Sequence, residues 1–332
     1  MLWWDFKTRH DCISTFMGMH SFWNANPMAP SWISLAAHAW SGHPPKLLEI
    51  VHTQKEIQPP RGCIMRRITE ADVPATVELW SRFFSKSPNC RCLVPAPHLV
   101  KMLAEKQWEG IVVINPVGEV VGTLIRRFIK NLHVDKATWK SAGAIDYFCV
   151  HPAWRKKGVG KALLTAIQNL TADPVPPQLF FLENLQVRIP PISAGIFMSL
   201  QTDLARAVAA EAVRVHDGKA MWENCVKGSD VWSSEPGEEI SFWKADERSG
   251  VVVIWNTFHR VMPGGELIGI VLSDNAAAVE ALAGVKSPWG VFLAAGASSR
   301  GRAGWKINSV FQWIGYNLSI GFISGRFPAI GF

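Results

Sequence analysis

With 332 residues, 48% of them hydrophobic and 18% charged, the chain is long enough for a large core and too apolar to be disordered. A net charge of +7 suits anionic ligands in general, and no basic helix with interleaved aromatics occurs, so a nucleic-acid partner is not expected. The six cysteines (Cys12, Cys63, Cys90, Cys92, Cys149, Cys225) contain no C-x-x-C pair, which excludes a zinc framework and leaves reduced thiols and no metal as the expectation. The uncharged stretches 13–40 and 307–325 are interrupted by Asn, Pro, Ser or Gly, so the chain reads as cytoplasmic, without a transmembrane segment.

Residues 1–60 have no sustained period and read as an N-terminal arm, with the extended run Phe22-Trp23-Asn24-Ala25-Asn26-Pro27-Met28-Ala29-Pro30. Residues 64–68 alternate as a strand. Thr69 then serves as N-cap and Asp72 completes a capping-box spacing for a helix over about 73–84. A loop at 85–97 precedes a second helix at 97–108. Strands follow at 110–115, 119–128 and 144–150, turned at 116–118 and near 135–140. The order β-α-α-β-β-β-α describes a mixed α/β layer.

The stretch 144–170 organises this unit. An apolar run of strand length turns through His151-Pro152 into Arg155-Lys156-Lys157-Gly158-Val159-Gly160. A helix follows, with Val159, Ala162, Leu163, Ala166, Ile167 and Leu170 on one stripe. Free backbone N–H groups at a helix start favour anions. Arg155, Lys156, Lys157 and Lys161 add positive charge, and Gly158 and Gly160 clear the approach. That pattern points to a polyanion with a pyrophosphate.

Prolines 174, 176, 177, 190 and 191 mark a boundary between domains 61–173 and 174–332. Beyond it the order partly repeats: a helix at 194–216, strands at 240–245 and 250–258, a strand at 265–272, a helix at 275–284, a strand at 289–294 and strands at 310–322. This is a second, degenerate copy. No Arg-x-x-Gly-x-Gly follows its strand at 265–272, so a cofactor phosphate is expected only on the first copy.

Residues 64–170 resemble a GNAT-fold acyltransferase, with Arg155–Gly160 matching that superfamily's acyl-CoA pyrophosphate loop. Three features resemble its glycylpeptide N-tetradecanoyltransferase (N-myristoyltransferase) branch: the Phe22–Pro30 run, the sequence Asp146-Tyr147-Phe148-Cys149-Val150-His151, and the duplicated architecture. The chain departs from that branch in several places. Gly158-Val159-Gly160-Lys161 is the general GNAT form, and Ser21 stands where the branch has a phosphate-contacting lysine. Residues 85–89 are not acidic, and Gly315-Tyr316-Asn317 is at best a remnant of a Gly-Asp-Gly.

The resemblance implies a monomeric enzyme that moves a fatty acyl group from acyl-CoA to the N-terminal glycine of a protein or peptide. The acyl donor would be myristoyl-CoA, with acetyl-CoA the alternative. The cosubstrate would be held by Phe22, Trp23, Cys149, Val150, Arg155, Lys156, Lys157, Gly158, Val159, Gly160 and Lys161. The main-chain N–H groups of Tyr147 and Phe148 would hold the oxyanion, and the terminal carboxylate of Phe332 would be the base. Two readings stay beside it: an N-acetyltransferase acting on an amine or lysine, and a non-catalytic acyl-CoA-binding module. Cys149 reads as a buried strand thiol before an acyl-carrying nucleophile, and His151 as a turn cap before a proton carrier. Thr257-Phe258-His259-Arg260 falls where the family's second copy lines the peptide groove.

Overall fold

The computed structural model describes residues 46–47, 57–85, 87, 89–134, 137–170, 176–183, 193–202, 208–216, 218–227, 229, 231–273, 275–295, 302–316 and 318–319. The first half holds β1 (Lys46–Leu47), β2 (Ile64–Arg67), a 3-10 turn (Glu70–Asp72), α1 (Val73–Phe83), β3 (Cys90–Cys92), α2 (Ala96–Ala104), β4 (Trp108–Ile114), β5 (Val120–Val134), β6 (Ala137–Val150), a second 3-10 turn (Pro152–Trp154) and α3 (Val159–Asn169). The second half continues with β7 (Gln178–Glu183), β8 (Ser193–Gln201), β9 (Val208–Glu211), β10 (Val213–Val215), α4 (Lys219–Val226), β11 (Val231–Ser233) and β12 (Ile240–Lys244). It closes with β13 (Val252–Val261), β14 (Leu267–Val271), α5 (Ala276–Ala283), β15 (Val285–Lys286), β16 (Trp289–Ala295), β17 (Lys306–Tyr316) and β18 (Leu318–Ser319).

Among the described residues, fourteen strands make one mixed sheet, twelve of them in the order β10-β12-β13-β14-β16-β8-β17-β7-β6-β5-β4-β2 with β3 and β11 off this path. The duplication is visible in its ladders. β5 and β6 are antiparallel, and β6 crosses through α3 to a parallel β7. β13 and β14 are antiparallel, and β14 crosses through α5 to a parallel β16. Each crossover helix covers its sheet as in a βαβ unit. The sheet does not break between the halves: β3 pairs with β13, and β11 pairs with β5. The proline-rich segment read as a boundary contains β7, which joins β6 to β17.

Two sequence expectations need correction. The described residues of 194–216 do not form a helix; β8, β9 and β10 occupy most of them. β8 lies between β16 and β17 with Phe197, Met198 and Leu200 buried. A strand covered on both faces is apolar throughout, and such a run carries no period that separates it from a buried helix. The strands β3 and β7 fall in segments read as loop and boundary, and the helix α4 in a segment to which the sequence reading assigns no element. The short strands β1, β11 and β15 have no counterpart among the expected elements; the remaining expected elements match within a few residues, although β5 and β6 reach well past the expected strands.

In the first half the two sheet faces are covered differently. Val159, Leu163, Ala166 and Ile167 of α3 pack with Ile111, Val113, Val121 and Ile145. On the other face α1 and α2 pack Leu79, Trp80, Leu99 and Met102 against Val112, Ile125, Tyr147 and Cys149. Ile111 and Val113 facing one way and Val112 the other is ordinary strand alternation. Ile145 and Tyr147 share parity yet lie on opposite faces, so the strand is interrupted between them. The 3-10 turn that leads into α1 carries the capping box: the Thr69 N–H donates to Asp72 Oδ2 at 2.8 Å, and Arg66 grips the same carboxylate at 2.5 and 2.7 Å.

Candidate active site

The interruption in β6 is a β-bulge. Cys149 faces Thr123 and Asp146 faces Ile125, so Tyr147 and Phe148 together oppose Leu124. Tyr147 takes a φ of +48°, a left-handed conformation that an aromatic residue adopts at a cost on the order of 1–3 kcal/mol. On its other edge β6 pairs with β7 only as far as Ile145 opposite Phe180. The bulge therefore sits where the two parallel strands part. Phe148 is 42% exposed there, and its ring lies over Gly160, where a Cβ would come within 3.1 Å of Cζ.

Local contacts hold the strained residue. Asp146 Oδ1 accepts the Tyr147 N–H at 2.7 Å, and the Thr123 hydroxyl donates to the Tyr147 carbonyl at 3.3 Å. Trp80 Nε1 donates to that hydroxyl at 2.7 Å, and the Trp80 ring stacks on Tyr147 at 4.4 Å. Of the two main-chain N–H groups expected to hold an oxyanion, that of Tyr147 is thus already engaged.

Arg127, read in sequence only as part of a strand, is 1% exposed and donates to Asp146 Oδ2 at 2.8 Å. Its guanidinium lies over Trp108 at 4.6 Å, Tyr147 at 5.0 Å and Trp255 at 5.6 Å. Burial works against its charge, but Tyr147, Asp146 and Glu239 outweigh this and hold its pKa above the ordinary value. Burial likewise pushes the Tyr147 phenol well up. Glu239 is also enclosed: its Oε1 meets His98 Nε2 at 3.1 Å, and its Oε2 has no hydrogen-bond partner among the described residues. The one available hint in sequence was Arg126-Arg127 inside an otherwise apolar strand, since buried arginine is rare unless paired.

Past the bulge the chain forms the expected turn. His151 Nδ1 accepts the Ala153 N–H at 3.2 Å and its ring meets Phe83 edge-on, so it caps the turn. Lys156 at φ +61° and Gly158 at φ +86° give a turn with alternating handedness, a conformation that gathers N–H groups into an anion-binding hollow. Arg155, Lys156, Lys157, Gly158 and Lys161 are exposed and Gly160 half-buried. Arg155 Nε donates to the Val150 carbonyl at 3.1 Å, and Lys157 lies over Trp154 at 4.9 Å.

Val159 is buried against the sheet, so only its main chain can face a ligand. Cys149 is buried, and desolvation raises its thiol pKa to about 12, which removes it as a nucleophile near neutral pH. Phe258 and His259 of β13 do approach this region: Leu93 N–H donates to the Phe258 carbonyl, and Phe84 contacts both His259 and Tyr147. Phe22, Trp23 and Phe332 lie outside the described residues. Among the described residues no group of His, Cys, Asp or Glu is placed to hold a metal ion. No helix among them is long and apolar enough to cross a membrane.

A bulged strand that parts from its parallel neighbour and feeds a basic turn at a helix start defines a class. Residues 73–173 match the acetyltransferase (GNAT) family model, so this segment carries a GNAT-type domain. Over nearly the whole chain the fold is that of N-myristoyltransferase. The Saccharomyces cerevisiae enzyme with bound myristoyl-CoA superposes with a TM-score of 0.66 at 12% identity, over 92% of this chain and 89% of that one. The same enzyme with myristoyl-CoA and inhibitors gives 0.65 at 11% identity, over 96% and 95%. No curated protein sequence matches the chain.

Proposed function

We propose that the chain transfers a long-chain acyl group from acyl-CoA to the N-terminal amine of a glycine-initiated peptide. The observation that carries this reading is the opening between β6 and β7, with the bulge at its apex and the basic turn at its mouth. The match in fold to an enzyme crystallised with myristoyl-CoA supports the choice of donor.

In this reading the pyrophosphate of CoA rests on the main-chain N–H groups of residues 158–160, with Arg155, Lys156, Lys157 and Lys161 screening its charge. The thioester carbonyl lies at the bulge and the Phe148 N–H donates to its oxygen as that oxygen becomes negative. One such donor is worth roughly 2.7–4 kcal/mol at the transition state. The neutral amine nitrogen bonds to the carbonyl carbon, the carbon–sulfur bond breaks, and the proton lost by the amine balances the departing thiolate. The aromatic wall of Phe84, Phe258 and His259 would face the acceptor.

Mass spectrometry of glycine-initiated peptides incubated with myristoyl-CoA or acetyl-CoA tests the proposal. Myristoylation of the α-amine is expected. Acetylation alone would favour the second reading, a plain GNAT N-acetyltransferase, which the intact Gly158-Val159-Gly160 supports.

A further inference from the structure

We infer that Asp146, backed by Arg127, is a positioning residue for acyl transfer: its carboxylate fixes the bulge and so sets the direction of the Phe148 N–H. The inference rests on the bulge being the oxyanion site proposed above. Tyr147 has no intrinsic reason to sit at φ +48°, and without restraint the strand would relax toward extended backbone. Relaxation would return β6 to simple alternation and move the residues after the bulge to the opposite face. Cys149 would then leave the α1 side, and Phe148 would leave the ring position over Gly160.

The restraint made at the bulged residue's own amide comes from Asp146 Oδ1 at 2.7 Å, while Oδ2 holds the carboxylate to Arg127 at 2.8 Å. Arg127 is in turn packed against Trp108 of β4 and Trp255 of β13. The direction of the oxyanion donor is thereby tied to both halves of the molecule. Arg127 has a second effect. A lone carboxylate beside a developing oxyanion would oppose it, and the buried guanidinium cancels that charge. Asp146 acts through Tyr147 and touches no reacting atom.

The test compares wild-type protein with Asp146→Asn and Asp146→Ala by steady-state kinetics, calorimetric titration with acyl-CoA, and thermal melting. Asparagine keeps an oxygen that can accept the Tyr147 N–H; alanine keeps none. Asp146→Ala should lower kcat by roughly 10²-fold, the usual effect of a small misplacement of catalytic groups, with CoA affinity unchanged. Asp146→Asn should recover most of that loss in kcat even though it melts lower, because Arg127 has lost its charge partner. Wild-type kcat in Asp146→Ala, or equal losses in both variants that follow the melting temperature, would overturn the inference.

If Asp146→Ala does not fold, Thr123→Val removes the hydroxyl on the Tyr147 carbonyl and should reduce kcat with CoA affinity retained. Unchanged kcat in that variant counts against the positioning role equally. A wild-type protein that neither binds CoA nor transfers any acyl group removes the functional reading and the inference with it. Active wild type with indifferent variants removes the inference alone.

Discussion

Gly122 on β5 lies beneath the first turn of α3. An alanine there would place its Cβ 2.5 Å from Val159 Cγ1, 3.2 Å from Leu163 Cδ1 and 3.6 Å from Val113 Cβ. Carbon atoms in contact sit at about 3.5–4.0 Å, so the first turn of α3 must retreat by ~1 Å or Val159 must leave its rotamer. Overpacking of this kind costs roughly 1–3 kcal/mol. With about 2 °C lost per kcal/mol in a chain of this size, Gly122→Ala should melt roughly 2–6 °C lower. The same retreat carries the N–H groups of residues 158–160 away from the phosphates, so acyl-CoA should bind on the order of tenfold more weakly, equivalent to about 1.4 kcal/mol. Differential scanning fluorimetry reads the first effect and calorimetric titration the second. Adding Val159→Ala removes the clashing methyl, and the double variant should be about 0.5–3 kcal/mol more stable than the two single changes sum to. An unchanged melting temperature and CoA affinity in Gly122→Ala, with no coupling in the double variant, would refute the close-approach argument.

Gly160→Asp crowds Phe148 and puts negative charge at the phosphate site, so CoA binding should fall by roughly 10²-fold or more in a titration. Retained affinity would show that the cofactor lies elsewhere. Cys149, with its thiol pushed up to about 12 by burial, should resist iodoacetamide at pH 8 in the folded protein, and no hydroxylamine-labile acyl-cysteine should accumulate during turnover. A trapped adduct on that residue would restore the covalent route. Burial alone would raise the Asp72 carboxyl, but hydrogen bonds from Arg66 and Thr69 outweigh it and hold it below the usual range. Its contribution is therefore complete above the unfolded pKa of about 3.9 and is lost as pH falls through the lower folded value. Urea melts should show Asp72→Asn less stable than wild type at pH 7, with the gap closing in acid; a gap independent of pH would contradict this.

The sequence by itself determined the chemistry-bearing turn. Arg155, Lys156, Lys157, Gly158 and Gly160 are neighbours in the chain, and the helix stripe from Val159 to Leu170 follows a period that needs no partner to be read. The capping box of Thr69 and Asp72 ahead of α1 was legible for the same reason, being complete within four residues. The second half was harder to read. β8 is central and buried on both faces, so its composition matched a helix as well as a strand, and only its ladders to β16 and β17 decide between them.

Tertiary structure alone decided the site's interior. The neighbouring Asp146 holds the Tyr147 N–H, but its carboxylate is itself set by Arg127, and Thr123 and Trp80 reach Tyr147 from a second strand and a helix. Arg127 and Glu239 lie more than a hundred residues apart in sequence yet act on one another in a dry enclosure, where charges interact far more strongly than in water. Gly122 reads in sequence as an unremarked strand residue, and its need to be glycine comes from a helix that arrives later in the chain. Short-range patterns are set by spacing along the chain; long-range ones exist only once the sheet has brought the two halves together.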